Sequence, residues 1–110
     1  MNINEMVELA HGNAVSKGWH DEDRSFGELI ALCHSELSEA LEEYRMGLLE
    51  TEEYDDVMTG KPCGIPSELA DVVIRIADMC GKYGIDLEKA IKGKMEYNRT
   101  RQHRHGGKVI

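Results

Sequence analysis

The chain is poor in what most fold classes other than all-α require. Its three cysteines, Cys33, Cys63 and Cys80, are odd in number, widely spaced and without a Cys-x-x-Cys pair. That excludes a disulfide framework and a cysteine zinc site and leaves reduced thiols, two of them on apolar stripes. Only two prolines, one phenylalanine and one tryptophan occur, and no stretch sustains the apolar-polar alternation of a half-buried strand. No apolar run approaches the roughly 20 residues of a membrane span, and the opening Met-Asn-Ile-Asn-Glu lacks the basic and apolar regions of a signal peptide. The expectation is a soluble, cytoplasmic, all-α protein.

A length of 110 residues makes residues 1–110 one domain. A lone chain of this size buries only about two-thirds of its unfolded surface, so association with further copies would help it. The formal charge of −8 is unevenly spread. Residues 1–91 hold 20 acids against seven Lys or Arg, whereas residues 92–110 set Glu96 against Lys92, Lys94, Arg99, Arg101, Arg104 and Lys108. An acidic body without a broad positive face is a poor footprint for duplex nucleic acid. It suits a small phosphorylated ligand bridged by metal on one side and gripped by cations on the other.

Helical spacing of Ile3, Met6, Val7, Ala10 and Val15 predicts a first helix over 3–17, stopped at Gly18. A loop from Gly18 to Arg24 carries Trp19. Ser25 with Glu28 three residues on is a capping-box pattern opening a helix to about Met46, ended by Gly47. The acidic stretch 47–64 reads as a connection with a short helical turn. Pro66 fits the first turn of a third helix ending near Gly84, and Asp86 caps a fourth, before a basic tail from about 102 to 110.

The second and third predicted helices carry Glu36 with Glu39 and Glu68 with Asp71. At about 100° per residue, each pair lies about 100° and 160° to the same side of its helix's apolar stripe. On the second helix that stripe is Ile30, Cys33, Leu37, Leu41 and Tyr44; on the third it is Ile65, Leu69, Val72, Val73, Ile76 and Cys80. If the stripes pack together, four acids converge at the edge of the core. Four such anions repel by several kcal/mol unless protonated or neutralised, and an all-oxygen set suits a hard cation, Mg²⁺ or Mn²⁺. A diiron bundle is the nearest rival, but it needs His three residues after Glu on two helices, and the pattern occurs once only, at Glu8-Leu9-Ala10-His11. Glu43 shares the Glu39 face one turn on.

Three segments together resemble a known family. They are His34-Ser35-Glu36-Leu37-Ser38-Glu39-Ala40-Leu41-Glu42-Glu43-Tyr44-Arg45, Ile65-Pro66-Ser67-Glu68-Leu69-Ala70-Asp71-Val72, and Lys94-Met95-Glu96-Tyr97-Asn98-Arg99-Thr100-Arg101 with the closing His105-Gly106-Gly107-Lys108. Over roughly residues 15–108 the chain resembles the all-α nucleoside triphosphate pyrophosphohydrolases of the MazG-like type. The resemblance implies a four-helix-bundle-like domain, usually a homodimer or homotetramer. It further implies Mg²⁺ held by Glu36, Glu39, Glu68 and Asp71, and cleavage of a nucleoside triphosphate between the α and β phosphates, for nucleotide housecleaning or pool control. A phosphoribosyl-ATP pyrophosphatase-like enzyme and a non-catalytic helical module binding a nucleotide or protein are the alternatives.

Phosphoanhydride hydrolysis needs neutralised phosphate oxygens and an aligned water, which metals and cations supply. Glu36 or Glu39 is then also the catalytic residue that orients or deprotonates the water. Lys94, Asn98 and Arg101, at four- and three-residue steps on one helical face, are candidates to bind β and γ phosphates or a ribose hydroxyl. Trp19 is a candidate platform for the base, or alternatively a core or interface anchor. His34 is a further candidate for base or phosphate, or equally a hydrogen-bonded core histidine. Arg75, four residues after Asp71, is expected to orient Asp71 through a salt bridge. His103 and His105 are expected to face solvent.

Overall fold

The computed structural model describes residues 1–101, which form four helices: α1 (Ile3–Ser16), α2 (Phe26–Arg45), α3 (Ile65–Tyr83) and α4 (Leu87–Thr100). Local chemistry sets their ends. Asn2 caps α1, accepting the Glu5 N–H at 2.8 Å while the Glu5 carboxylate accepts the Asn2 N–H at 3.3 Å. Ser25 Oγ accepts the Glu28 N–H at 3.1 Å at the head of α2. Pro66 occupies the first turn of α3, and Gly84, at φ 65°, closes that helix in the left-handed conformation. Asp86 caps α4 through the Lys89 N–H at 3.0 Å.

The connection between α2 and α3 differs from the expected helical turn. It forms a two-residue antiparallel ladder, β1 (Tyr54–Asp55) against β2 (Pro62–Cys63), with Tyr54 opposite Cys63 and Asp55 opposite Pro62. The Asp56 carboxylate explains the preference. It accepts the N–H groups of Met58 and Thr59 at 2.8 and 3.0 Å, an Asx turn that reverses the chain. Those two bonds hold the Asp56 carboxyl below its usual range. Gly64, at φ 108°, follows directly. A Cβ there would overlap the Glu52 carbonyl oxygen, so the hairpin closes on the start of α3 only because residue 64 has no side chain.

α3 is the central helix, packing against α1 on one side and α2 on the other, while α4 leans on α1. Val7, Ala77 and Cys80 form the buried cluster between α1 and α3, with Met6, Ala10, Ile76 and Leu87 packed around it. Leu29, Ala40, Ile65 and Met79 are buried as well.

The face that α2 turns to α3 is a correction to the expected packing. The buried and half-buried positions of α2 are Leu29, Leu32, Cys33, Glu36, Ala40 and Glu43. That stripe is centred near Glu36, about 100° round the helix from Leu37. The expected apolar stripe is instead half exposed: Leu37 is 51 % accessible, Leu41 58 % and Leu69 46 %. Glu36 and Glu43, not Leu37 and Leu41, therefore stand on the buried side of α2.

Candidate metal centre

Because α2 and α3 meet through their acidic sides, carboxylate oxygens of Glu36, Glu39 and Glu68 lie within 4.8 Å of one another. Asp71 is half-buried beside them, and the charges of Glu36 and Glu39 act on it. Glu68 is only 7 % accessible, and its Oε2 has no hydrogen-bond partner among the described residues. A buried carboxylate oxygen left unpaired costs on the order of kcal/mol. Protonation or a cation relieves that cost.

The acidities respond accordingly. Burial, first, raises the Glu68 carboxyl above the usual range; the adjoining Glu39 carboxylate adds to it by hydrogen bonding to the protonated form and by its charge, and Asp71 contributes too. Asp71 is raised by burial and then by the Glu36 charge. Lys61, delivered by the hairpin, opposes both shifts. Nothing in the sequence marked Lys61 as part of the site, since only the Asp56 turn and the β ladder bring it to the acids.

Arg75 does not orient Asp71 as expected. Its Nε donates to Glu36 Oε1 at 2.6 Å, because Glu36 faces α3 across the helix interface. The Arg75 guanidinium also lies over the Trp19 ring, 4.6 Å from its centre, and Arg24 lies over the same ring at 4.2 Å. Arg24 further donates to the Trp19 carbonyl oxygen. Trp19 thus joins the α1–α2 loop to the acid cluster through Arg75.

These groups line a cavity of about 310 Å³ bounded by Asn13, Lys17, Trp19, Glu36, Asp71, Arg75 and Asp78, among others. A second cavity, of about 410 Å³, is lined by Lys61, Ser67 and Pro66 and shares Asp71 and Ile74 with the first. The two volumes fall at the small end of the range of about 300–1,000 Å³ for ligand sites. Of the four acids, Glu36 and Asp71 line the first cavity and Asp71 alone the second; Glu39 and Glu68 line neither.

Other expected site residues are not brought there. Lys94, Asn98 and Arg101 are exposed on α4 and line neither cavity; Lys94 and Arg101 lie near the Tyr97 ring at 5.6 and 5.7 Å. His34 is exposed on α2. The expectations for the tail, including His103 and His105, lie outside the described residues.

A cluster that sequence reasoning missed is built on Asp78, which also lines the first cavity. Asp78, buried in α3, accepts from His11 Nδ1 at 2.9 Å and from His20 Nε2 at 2.8 Å. The histidine rings are 5.2 Å apart. Separations of 67 and 58 residues leave no local signal for it. No family model, curated protein or solved structure matches the chain.

Proposed function

We propose that this protein is a Mg²⁺-dependent nucleoside triphosphate pyrophosphohydrolase of the MazG-like type, cutting between the α and β phosphates to release a nucleoside monophosphate and pyrophosphate. The observation that carries the proposal is the convergence of the Glu36, Glu39 and Glu68 carboxylates, with Asp71 within reach of their charge and shared by two cavities, and with the buried Glu68 Oε2 lacking any partner among the described residues. An all-oxygen set of this charge fits Mg²⁺, with Mn²⁺ as substitute.

Glu36, Glu39, Glu68 and Asp71 are the residues to hold the ion, which when bound neutralises phosphate charge and lowers the pKa of a coordinated water. Glu39, the most solvent-accessible of the three converging glutamates, is the better placed to take a proton from the attacking water. Glu36 is engaged by Arg75, which fixes its orientation. Lys61 acts on Glu68 and Asp71, and Lys17 lines the cavity that Glu36 and Asp71 line, so both suit the polyphosphate. Trp19 with Arg24 and Arg75 suits the base end of the substrate.

The proposal extends to assembly. The half-exposed stripe of Leu37, Leu41 and Tyr44 on α2 with Leu69 and Val73 on α3 is the surface a second copy covers, in a homodimer or homotetramer. Lys94, Asn98 and Arg101, remote from the cavities of their own chain, then serve the acids of another copy. A cytoplasmic role in clearing or balancing nucleotide pools follows from this chemistry. The test is a panel of standard and damaged nucleotides assayed for pyrophosphate with Mg²⁺ and with EDTA. Release that needs Mg²⁺ and disappears in Glu39→Gln supports the proposal, and no release from any member refutes it.

A further inference from the structure

We propose that His11, His20 and Asp78 form a second metal site, one that takes a zinc-class first-row divalent ion rather than Mg²⁺. Each residue comes from a different element: His11 from α1, His20 from the α1–α2 loop and Asp78 from α3. One ligand atom from each lies within 4.8 Å of the others. The nitrogen-oxygen distances of 2.8 to 3.0 Å are only a few tenths shorter than the edge of about 3.3 Å between ligands on tetrahedral zinc with bonds of about 2.0–2.1 Å. Coordination therefore needs a small spreading of groups already assembled. Each neutral ring then carries its hydrogen on the nitrogen turned away from the ion, and the Asp78 carboxylate supplies the negative charge. Two imidazoles and one carboxylate select zinc-class ions over Mg²⁺, which prefers oxygen alone.

Two features indicate a built site. Asp78 is 6 % accessible in the middle of α3, and a buried carboxylate is rare unless paired or coordinated. At Gly81, one turn after Asp78, a Cβ would sit 2.5 Å from His11 Cβ. Glycine inside a helix costs roughly 0.5–1 kcal/mol relative to alanine, and here its bare face lets α1 approach closely enough for His11 to reach Asp78. Asp78 and Trp19 both line the cavity that Glu36 and Asp71 line. Bound there, the ion fastens the Trp19 loop to α3 and leaves the oxygen cluster free for Mg²⁺. The site does not depend on the hydrolysis proposed above.

The experiment is competition dialysis with ZnCl₂ under excess MgCl₂, on the full chain carrying His103→Gln and His105→Gln so that these tail imidazoles cannot contribute. The expected result is one zinc per chain, retained in Glu39→Gln and bound at least ten-fold more weakly in His11→Asn with His20→Gln, whose amides keep donors near the original Nδ1 and Nε2. Zinc binding unchanged in that double variant, or lost in Glu39→Gln instead, overturns the proposal. X-ray absorption on the zinc form of the unvaried histidine cluster gives a check that no folding defect can obscure. Outer-shell scattering from two imidazoles is expected, and an all-oxygen shell or an absence of bound zinc refutes the site.

Discussion

Replacing Glu68 by Gln should stabilise the metal-free protein and abolish its response to Mg²⁺. Two full charges 4.8 Å apart, the limit within which the Glu36, Glu39 and Glu68 oxygens lie, repel by about 3.5 kcal/mol at an effective dielectric of about 20. Solvent at the exposed Glu39 side and the attraction of Lys61 reduce this to a net gain of about 1–2 kcal/mol. The glutamine amide keeps the volume and can donate to Glu39 or Glu36. A gain of that size raises the melting temperature by about 4–8 °C in a domain this small.

The sign of the pH dependence follows from the raised acidities of Glu68 and Asp71. A carboxyl whose folded pKa exceeds its unfolded value contributes stability that is fully present below the unfolded pKa, near about 4, and is lost as pH rises through the folded value. The variant's advantage should thus be small in acid and grow toward pH 8 in EDTA. Saturating Mg²⁺ should reverse the order, since an ion at about 100 times its Kd stabilises the wild type by about 2.7 kcal/mol and leaves the variant unchanged. Melting followed by circular dichroism at several pH values, with EDTA and with Mg²⁺, measures both. A variant less stable than wild type in EDTA at pH 8, with an equal Mg²⁺ response, refutes the electrostatic reasoning.

Further outcomes follow from the same geometry. Asp71→Asn should lower turnover at least about 100-fold with the fold intact, checked by steady-state kinetics beside circular dichroism. Lys61→Ala should raise KM or lower kcat by about 10-fold or more, the value of a charge-assisted contact to phosphate of about 1.5–3 kcal/mol. Gly64→Ala should cost at least about 2 kcal/mol in urea unfolding, because residue 64 sits at φ 108° against the Glu52 carbonyl. Leu37→Asp with Leu41→Asp should give monomers in light scattering. Mixing Lys94→Ala chains with Glu39→Gln chains should restore turnover that neither has alone, and no restoration means that α4 does not serve another copy.

The helices and most of their ends were readable because their signals are local: Ser25 before Glu28, Pro66 in a first turn, Asp86 before Leu87, glycine at 84. The two acid pairs were readable for the same reason, since a three-residue step fixes a helix face. Which face α2 turns to α3 was not readable from one chain. Hydrophobicity marks the Leu37 stripe as buried without saying by what, and within the chain α3 takes the Glu36 side instead. Lys61 entered the site through a reversal built on Asp56, in a connection that the sequence marks as irregular with a short helical turn but not as a β hairpin. His11, His20 and Asp78 meet only in three dimensions, and a lone His on a helix has no partner in its own sequence neighbourhood. Lys94, Asn98 and Arg101 were assigned to the site by their charge, their shared helix face and the family resemblance, none of which specifies reach within one chain.

Hydrolysis in ¹⁸O-labelled water with Mg²⁺, followed by mass spectrometry of both products, tests the proposed chemistry most directly. Attack at the α phosphorus places one ¹⁸O in the nucleoside monophosphate and none in pyrophosphate, with no diphosphate formed and no turnover in EDTA. Label in orthophosphate, or in pyrophosphate with an unlabelled monophosphate, would contradict cleavage by water activated at the Glu36, Glu39, Glu68 and Asp71 cluster.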